Sequence, residues 1–192
     1  MHVYRKLMSH ENGCLQEHLL RLSPADRRLR FFCAVGEAFI AEHCRHVAAS
    51  GAIVIGYFEA GVLRGAAELH LGEHLGDRAE LALTVEGECQ CHHIGTELIE
   101  RAITIAENRN VRIVQMICLL DNRRMQHVAL KFTDRLVFED DQAEADLEIP
   151  RPTQISLWRE AVMDTTGLMS CCLDRFVAAM TPRQDEGEAT AA

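Results

Sequence analysis

The chain has 192 residues, enough for one domain with its own core, and its 48% hydrophobic and 26% charged residues are those of a water-soluble globular protein. A net charge of −9 excludes a sequence-independent nucleic-acid binder, which needs a basic face. No apolar run is long enough to span a membrane, and "MHVYRKLMSHENG" lacks the apolar core of a signal peptide, so the eight cysteines are expected as thiols in a reducing cytoplasm.

In chain order, "HVYRKLM" alternates weakly and predicts a short first strand, and "SHENGCLQEHLLRL" predicts a broken helix. "SPADRRLRFF" starts a second helix, with Ser23 as N-cap and Pro24 in the first turn, and "GEAFIAEHCRHVAAS" is a third that ends at Ser50-Gly51. The pattern then changes to "AIVIGYFEAG" and "VLRGAAELHL", a hairpin turning at Glu59-Ala60-Gly61, with "RAELALTVEG" as a third antiparallel strand. "IGTELIERAITIAEN" is an amphipathic helix, and "VRIVQMICLL" reads as a strand covered on both faces. "NRRMQHVALKF" is a helix capped by Asn122, and "RLVFEDDQAEADLEI" is a hairpin turning near Asp140-Asp141.

Past Pro150 and Pro152 an apolar stripe runs through Leu157, Ala161, Leu168, Cys172, Phe176 and Met180, with Trp158, Val162, Met169, Leu173 and Val177 beside it. It predicts a helix pair broken near Gly167, packed on the core or forming a subunit interface in a homodimer. The expected organisation is a domain over residues 1–150, a helical extension over 151–181, and a disordered tail over 182–192. The fold class is α/β (α+β): a mixed, mostly antiparallel sheet with helices on both faces, plus the C-terminal extension.

The stretch "ECQCHHIGTELIERA" carries the functional argument. Cys89, Cys91, His92 and His93 resemble half of a zinc site, yet no second ligand pair stands at a finger or ribbon spacing, so no metal is expected. The alternative is a loop between strand and helix whose free N–H groups, from Gln90 to Thr96, hold an anion such as a pyrophosphate. Gly95 at the helix entrance would let that ligand approach the backbone.

The same stretch resembles the central motif of the GNAT superfamily of acyl-CoA-dependent N-acetyltransferases, a strand followed by Gln/Arg-x-x-Gly-x-Gly/Ala and a helix. Gln90, Ile94 and Gly95 match; His93 stands at the first glycine, and Cys91 at another position where many members carry glycine. "ICLLDNRRMQHVALKF" is similar to the family's next strand and Asn-x-x-Met helix through Asn122 and Met125. "RLSPADRRLRFF" resembles the early helix of the branch related to protein-lysine acetyltransferases.

The resemblance implies a GNAT-like sheet and acetyl-CoA as co-substrate. It further implies a small-molecule amine, or a protein lysine or N-terminal amine, as acceptor, with no nucleic acid or membrane as partner. Backbone groups of Leu83, Thr84 and Val85 would hold the thioester and pantetheine arm. Gln90, Cys91, His92, His93, Ile94, Gly95 and Thr96 would cradle the pyrophosphate, and Asn122 and Met125 would flank it.

Acetyl transfer to an amine needs a proton acceptor, because an alkylammonium near pKa 10.4 is charged at neutral pH. Glu80, which strand alternation places on one face with Ala82 and Thr84, is the first candidate base, and Glu68 the second. A glutamate paired with Arg78 is the alternative for Glu80. The family's tyrosine acid, seven residues after the asparagine, is replaced by Ala129, leaving water, Cys118 or His127 to assist the thiolate. An acyl-CoA-binding sensor without turnover is the alternative function.

Overall fold

The structure, a computed structural model, describes the backbone of residues 2–72 and 77–180, and their side chains apart from 170, 171 and 173–180. The tail expected over 182–192 lies outside the described residues. After β1 (His2–Lys6) and one 3-10 turn come α1 (Asn12–Arg21), α2 (Pro24–Phe31) and α3 (Glu37–Ala49). Ser23 caps α2 as expected, its Oγ accepting the Asp26 N–H at 3.0 Å.

The meander is β2 (Ile53–Glu59), β3 (Val62–His70) and β4 (Arg78–Val85). Its first turn uses positive φ at Ala60 (50°) and Gly61 (80°), which suits the twist of a tight hairpin. Then follow α4 (Ile94–Asn108), β5 (Ile113–Leu119), α5 (Arg123–Ala129), the hairpin β6 (Val137–Glu139) and β7 (Gln142–Glu148), and α6 (Gln154–Met180).

The strands lie in the order β1-β2-β3-β4-β5-β7-β6. Neighbours are antiparallel except β4 and β5, which run parallel and pair only from Arg78–Ile113 to Glu80–Gln115. From Leu81 to Val85, β4 pairs with β3 alone, so a fork opens in the middle of the sheet. Alternation divides the side chains between two cores. Ala67, Leu69 and Leu81 pack with Leu98, Ile99 and Ile105 of α4, while Val54 and Ala66 pack with Leu15, Leu19 and Ile40 of α1 and α3. The result is the mixed α/β fold expected, with helices on both faces.

Two expectations are corrected. β5 is not covered on both faces: Val114, Met116 and Cys118 are buried, whereas Ile113, Gln115 and Ile117 are half-buried. Gln115 uses that partial opening to donate to Glu144 of β7. The C-terminal region is not a broken helix pair either. α6 continues through Gly167, where an added Cβ would come within 2.7 Å of Arg5 Cβ on β1, so the glycine serves close packing and not a turn. The helix packs on β1 and α4 through its polar side: Glu160 binds Lys6 Nζ (2.6 Å), Arg109 (3.0 Å) and Asn108 (2.7 Å).

Candidate functional site

The loop between β4 and α4 is tied back onto its strand. The Gln90 side-chain amide donates to Val85 O at 2.9 Å, and the Cys89 N–H donates to Glu86 O at 2.9 Å. Cys91 (φ 65°) and His93 (φ 61°) then both adopt the left-handed conformation. His93 thus keeps the backbone geometry of the glycine it replaces while carrying a side chain, at a cost of about 1–2 kcal/mol.

The N–H groups of Cys91, His92 and His93 donate to no described residue. Those of Ile94, Gly95 and Thr96 open α4, where a helix offers no internal acceptor. The loop is therefore a concave set of unpaired donors at the positive end of a helix, the arrangement that binds phosphate. Gly95 lines a groove beside the loop and also has a packing task. Its missing Cβ would lie 3.1 Å from Leu83 Cδ2, so the glycine lets α4 approach β4.

A groove of about 510 Å³ runs from this loop between α2 and α5. Of the residues expected at the cofactor, Leu83, Thr84, Val85, Gln90, Cys91, His93, Ile94, Gly95, Thr96, Asn122 and Met125 line it; His92 is exposed beside it. The rim carries Arg123, Arg124 and Lys131, which the sequence reading missed; Lys131 Nζ donates to Thr96 Oγ1 at 3.1 Å. An ion pair joins α2 to α5 at the rim, Arg124–Asp26 at 3.2 Å, and a second joins Arg28 of α2 to Asp121 in the turn before α5 at 2.8 Å. Asn122 both lines the groove and caps α5, its Oδ1 accepting the Met125 N–H at 3.1 Å.

Glu80 sits at the root of the fork, the last residue of β4 paired with β5. Its carboxylate is exposed and has no hydrogen-bond or ion-pair partner among the described residues, and it lines a second, small cavity of about 30 Å³. Arg78, the alternative partner, instead binds Asp146 at 2.7 Å. Cys118 lines the same small cavity, and burial pushes its thiol up to about 11, so it stays protonated at neutral pH. Ala129 is buried, and His127 lies exposed on α5 at the larger groove.

Glu68 is placed differently. It is buried on β3, and its carboxylate binds Arg30 (3.1 Å) and His43 (2.8 Å), with His70 at 3.7 Å. Burial alone would raise its pKa, but Arg30 and the two histidines outweigh burial and hold it well below the carboxylate range. It lies outside both cavities, whereas its partner Arg30 lines both.

The sequence reading also missed a buried polar chain behind Thr84. His18 is fully buried; its Nδ1 lies 3.1 Å from Glu86 Oε1 and its Nε2 lies 2.9 Å from Thr84 Oγ1. Burial raises the Glu86 carboxyl, but donation from His18, Arg64 and Arg21 outweighs it and holds the group at about 2. An ionised Glu86 can only accept, so His18 donates to it from Nδ1, and its Nε2 shares a hydrogen bond with the Thr84 hydroxyl. The Thr84 hydroxyl also lies 3.5 Å from the Ala66 carbonyl, to which it can donate. The available signal was His18 itself, on the same helical face as Leu15, Leu19 and Leu22.

Among the described residues no group of three or more His, Cys, Asp or Glu is arranged to hold a metal, and no helix is long and apolar enough to cross a membrane. No curated protein matches the chain. Solved structures do. The chain is similar to the GNAT domain of S. lividans PAT, at 18% identity and a TM-score of 0.64, over 76% of this chain and 89% of that one. It is also similar to PaiA N-acetyltransferase from Thermoplasma acidophilum, solved in complex with coenzyme A (18%, TM-score 0.56, 76% and 98% covered). A third is ribosomal-protein-alanine N-acetyltransferase from Brucella melitensis (12%, TM-score 0.59, 77% and 99% covered). At these identities the likeness is one of fold. The acetyltransferase (GNAT) family model matches residues 15–133, which span α1 to the end of α5 and so contain the fork, the donor loop and both cavities. The chain belongs to the acetyltransferase (GNAT) family.

Proposed function

We propose that the chain is an acetyl-CoA-dependent N-acetyltransferase that uses Glu80 to take the proton from its amine acceptor. The observation that carries this reading is the fork: a carboxylate with no partner among the described residues at its root, a loop of N–H donors at its mouth, and a groove that shares Leu29, Arg30, Leu83, Asn122 and Met125 with the small cavity at Glu80. The residues present fit the co-substrate. The donors from Cys91 to Thr96, with Arg123, Arg124 and Lys131 on the rim, match a pyrophosphate in charge and hydrogen bonding. The freed edge of β4 from Leu81 to Val85 suits an extended amide-bearing arm.

Bound acetyl-CoA would supply the acetyl thioester. The chain's part is to orient it along β4 and to make the acceptor nucleophilic. Glu80 withdraws the ammonium proton, and the departing thiolate takes one from water, Cys118 or His127. Glu68 fits a positioning role, fixing Arg30 on the groove wall. The acceptor is an amine on a small molecule or a protein; that one relative by fold is a ribosomal-protein-alanine N-acetyltransferase supports the protein choice.

The test is thiol release from acetyl-CoA against a panel of amines, with the product identified by mass spectrometry. Glu80→Gln is expected to keep CoA affinity and lower turnover roughly 10²-fold or more, with the loss shrinking as pH rises and the free amine becomes abundant. A rate per folded molecule equal to wild type would remove Glu80 from the chemistry. A second reading, an acyl-CoA sensor, is favoured by Ala129 at the tyrosine position. CoA binding without turnover of any amine would select it.

A further inference from the structure

The long helix α6 has two faces of opposite character. Of its residues up to Met169, those buried are Ser156, Glu160 and Gly167, which lie on one side and meet the body of the protein. Away from the body point Ile155, Trp158, Val162 and Met169, exposed by 71%, 70%, 40% and 70%, with Leu157 (53%) and Leu168 (51%) beside them. Packing of α6 onto its own chain leaves this apolar face in water.

The exposed face has a definite period. Ile155, Trp158, Val162, Thr165, Met169 and Cys172 are spaced alternately three and four apart, and Phe176 and Ala179 continue the series in sequence. That is the a/d repeat of a coiled-coil seam. In this register Glu160 and Gly167 both fall at f, the position opposite the seam. No Asp, Glu, Lys or Arg occupies a seam position from Ile155 to Cys172, although the chain carries a net charge of −9.

Size points the same way. At about 200 Å² for each large side chain, weighted by exposure, the five residues at or next to the seam, without Leu157 at position c, offer on the order of 600 Å² of apolar surface. That stands at the upper end of the roughly 300–600 Å² of the largest patch on a typical monomer. Two such faces together bury about 1,200 Å², at the lower end of the range of a stable specific interface. A seam of this kind needs a partner helix with the same repeat and a free face. The other long helix, α4, has its apolar face buried against the sheet, so the matching helix is α6 of another copy.

We propose that two copies of the chain associate through an α6–α6 seam centred on Ile155, Trp158, Val162 and Met169. The contact is isologous, each copy presenting the same face. α6 lies against β1 and meets α4 at Asn108 and Arg109, the end of that helix opposite the donor loop.

The experiment is sedimentation of the full chain from micromolar to sub-millimolar concentration, with Trp158→Glu and Ile155→Ser as test variants and Phe138→Glu as control. Phe138 is equally apolar and 58% exposed, but it stands on β6 at the far edge of the sheet. The proposal expects twice the chain mass for wild type and for the Phe138 variant, and the chain mass for Trp158→Glu and Ile155→Ser, all with the same circular dichroism. Because Trp158 and Ile155 are exposed, loss of the dimer cannot come from loss of the fold, and unchanged circular dichroism confirms it. A monomeric wild type overturns the proposal, including the case in which some other protein covers the face. A dimer that survives both substitutions overturns it as well, by placing the contact elsewhere.

Discussion

The contact between Gly95 and Leu83 decides whether the glycine of the loop serves the ligand or the fold. Gly95 has ordinary backbone dihedrals, and the Cβ it lacks would stand 3.1 Å from Leu83 Cδ2, tighter than an ordinary van der Waals contact. Alanine there needs Leu83 to yield by a few tenths of an ångström, which a half-buried leucine tolerates. Valine places two further methyl groups near the same atom and forces α4 off β4. Overpacking of this kind costs about 1–3 kcal/mol, which for a chain of this size lowers Tm by roughly 2–12 °C.

The assay is thermal melting of Gly95→Ala, Gly95→Val, Leu83→Ala and the double variant Gly95→Val/Leu83→Ala. If the clash is the cause, removing the Leu83 methyls relieves it. The double variant is then more stable than the sum of the single losses predicts, by about 1 kcal/mol or more. Additive losses would refute the packing argument and return Gly95 to a ligand-approach role. Equal destabilisation by alanine and valine would refute it as well.

Glu160→Gln should lower stability at neutral pH by about 2 kcal/mol, below the usual cost of breaking a fully buried pair because Arg109 and Lys6 keep 40% and 25% of their side chains exposed. Burial raises the Glu160 carboxyl, but Arg109, Lys6 and Asn108 outweigh burial and hold it at about 2, below its ordinary 4.5. Its contribution is therefore complete above pH 4.5 and lost as pH falls toward 2, and the variant should show a shallower acid dependence of Tm across that window. His93→Gly should raise Tm by roughly 1–4 °C, since relief of the left-handed strain exceeds the entropy glycine adds to the unfolded chain; a fall in Tm would show that the His93 side chain makes a compensating contact. Thr84→Val keeps the side-chain shape but leaves His18 Nε2 buried without a partner, at a cost of about 1–3 kcal/mol, and an unchanged melting curve would mean that the Glu86–His18–Thr84 chain is not formed in solution.

The loop was legible because its chemistry is local. Gln90, Ile94 and Gly95 sit within six consecutive residues, and the strand before and helix after them have clear periods. Asn122 was legible for the same reason, as a cap adjacent to its helix. What sequence could not supply was pairing across distance. The fork exists because β4 and β5 stop pairing at Glu80–Gln115, and nothing in either strand alone marks that point. The alternative of a Glu80–Arg78 pair on one strand stayed open in sequence, because Asp146 of β7 reaches Arg78 only across β5.

Likewise Glu68 reads as a strand glutamate, and only the arrival of Arg30 from α2 and His43 from α3 makes it a buried anion. α6 was misjudged for a different reason. Periodicity locates an apolar face but not the side by which a helix docks, and here docking uses Glu160 and the close approach at Gly167.

The two ion pairs between α2 and the segment that starts α5 have a consequence for how firmly this wall of the groove is held. Arg28, Asp121 and Arg124 keep more than half of their side chains in water, so each pair contributes at most about 1 kcal/mol. Together they hold the two segments by at most about 2 kcal/mol, so both pairs are open in at least roughly 3% of molecules at equilibrium. Salt shortens the reach of these charges to about 8 Å at physiological ionic strength, which loosens the wall further. An arriving polyanion also competes with Asp26 for Arg124, so a phosphate-bearing ligand weakens that contact. The firmness of this wall is thereby set by ionic strength and by the charge of whatever occupies the groove.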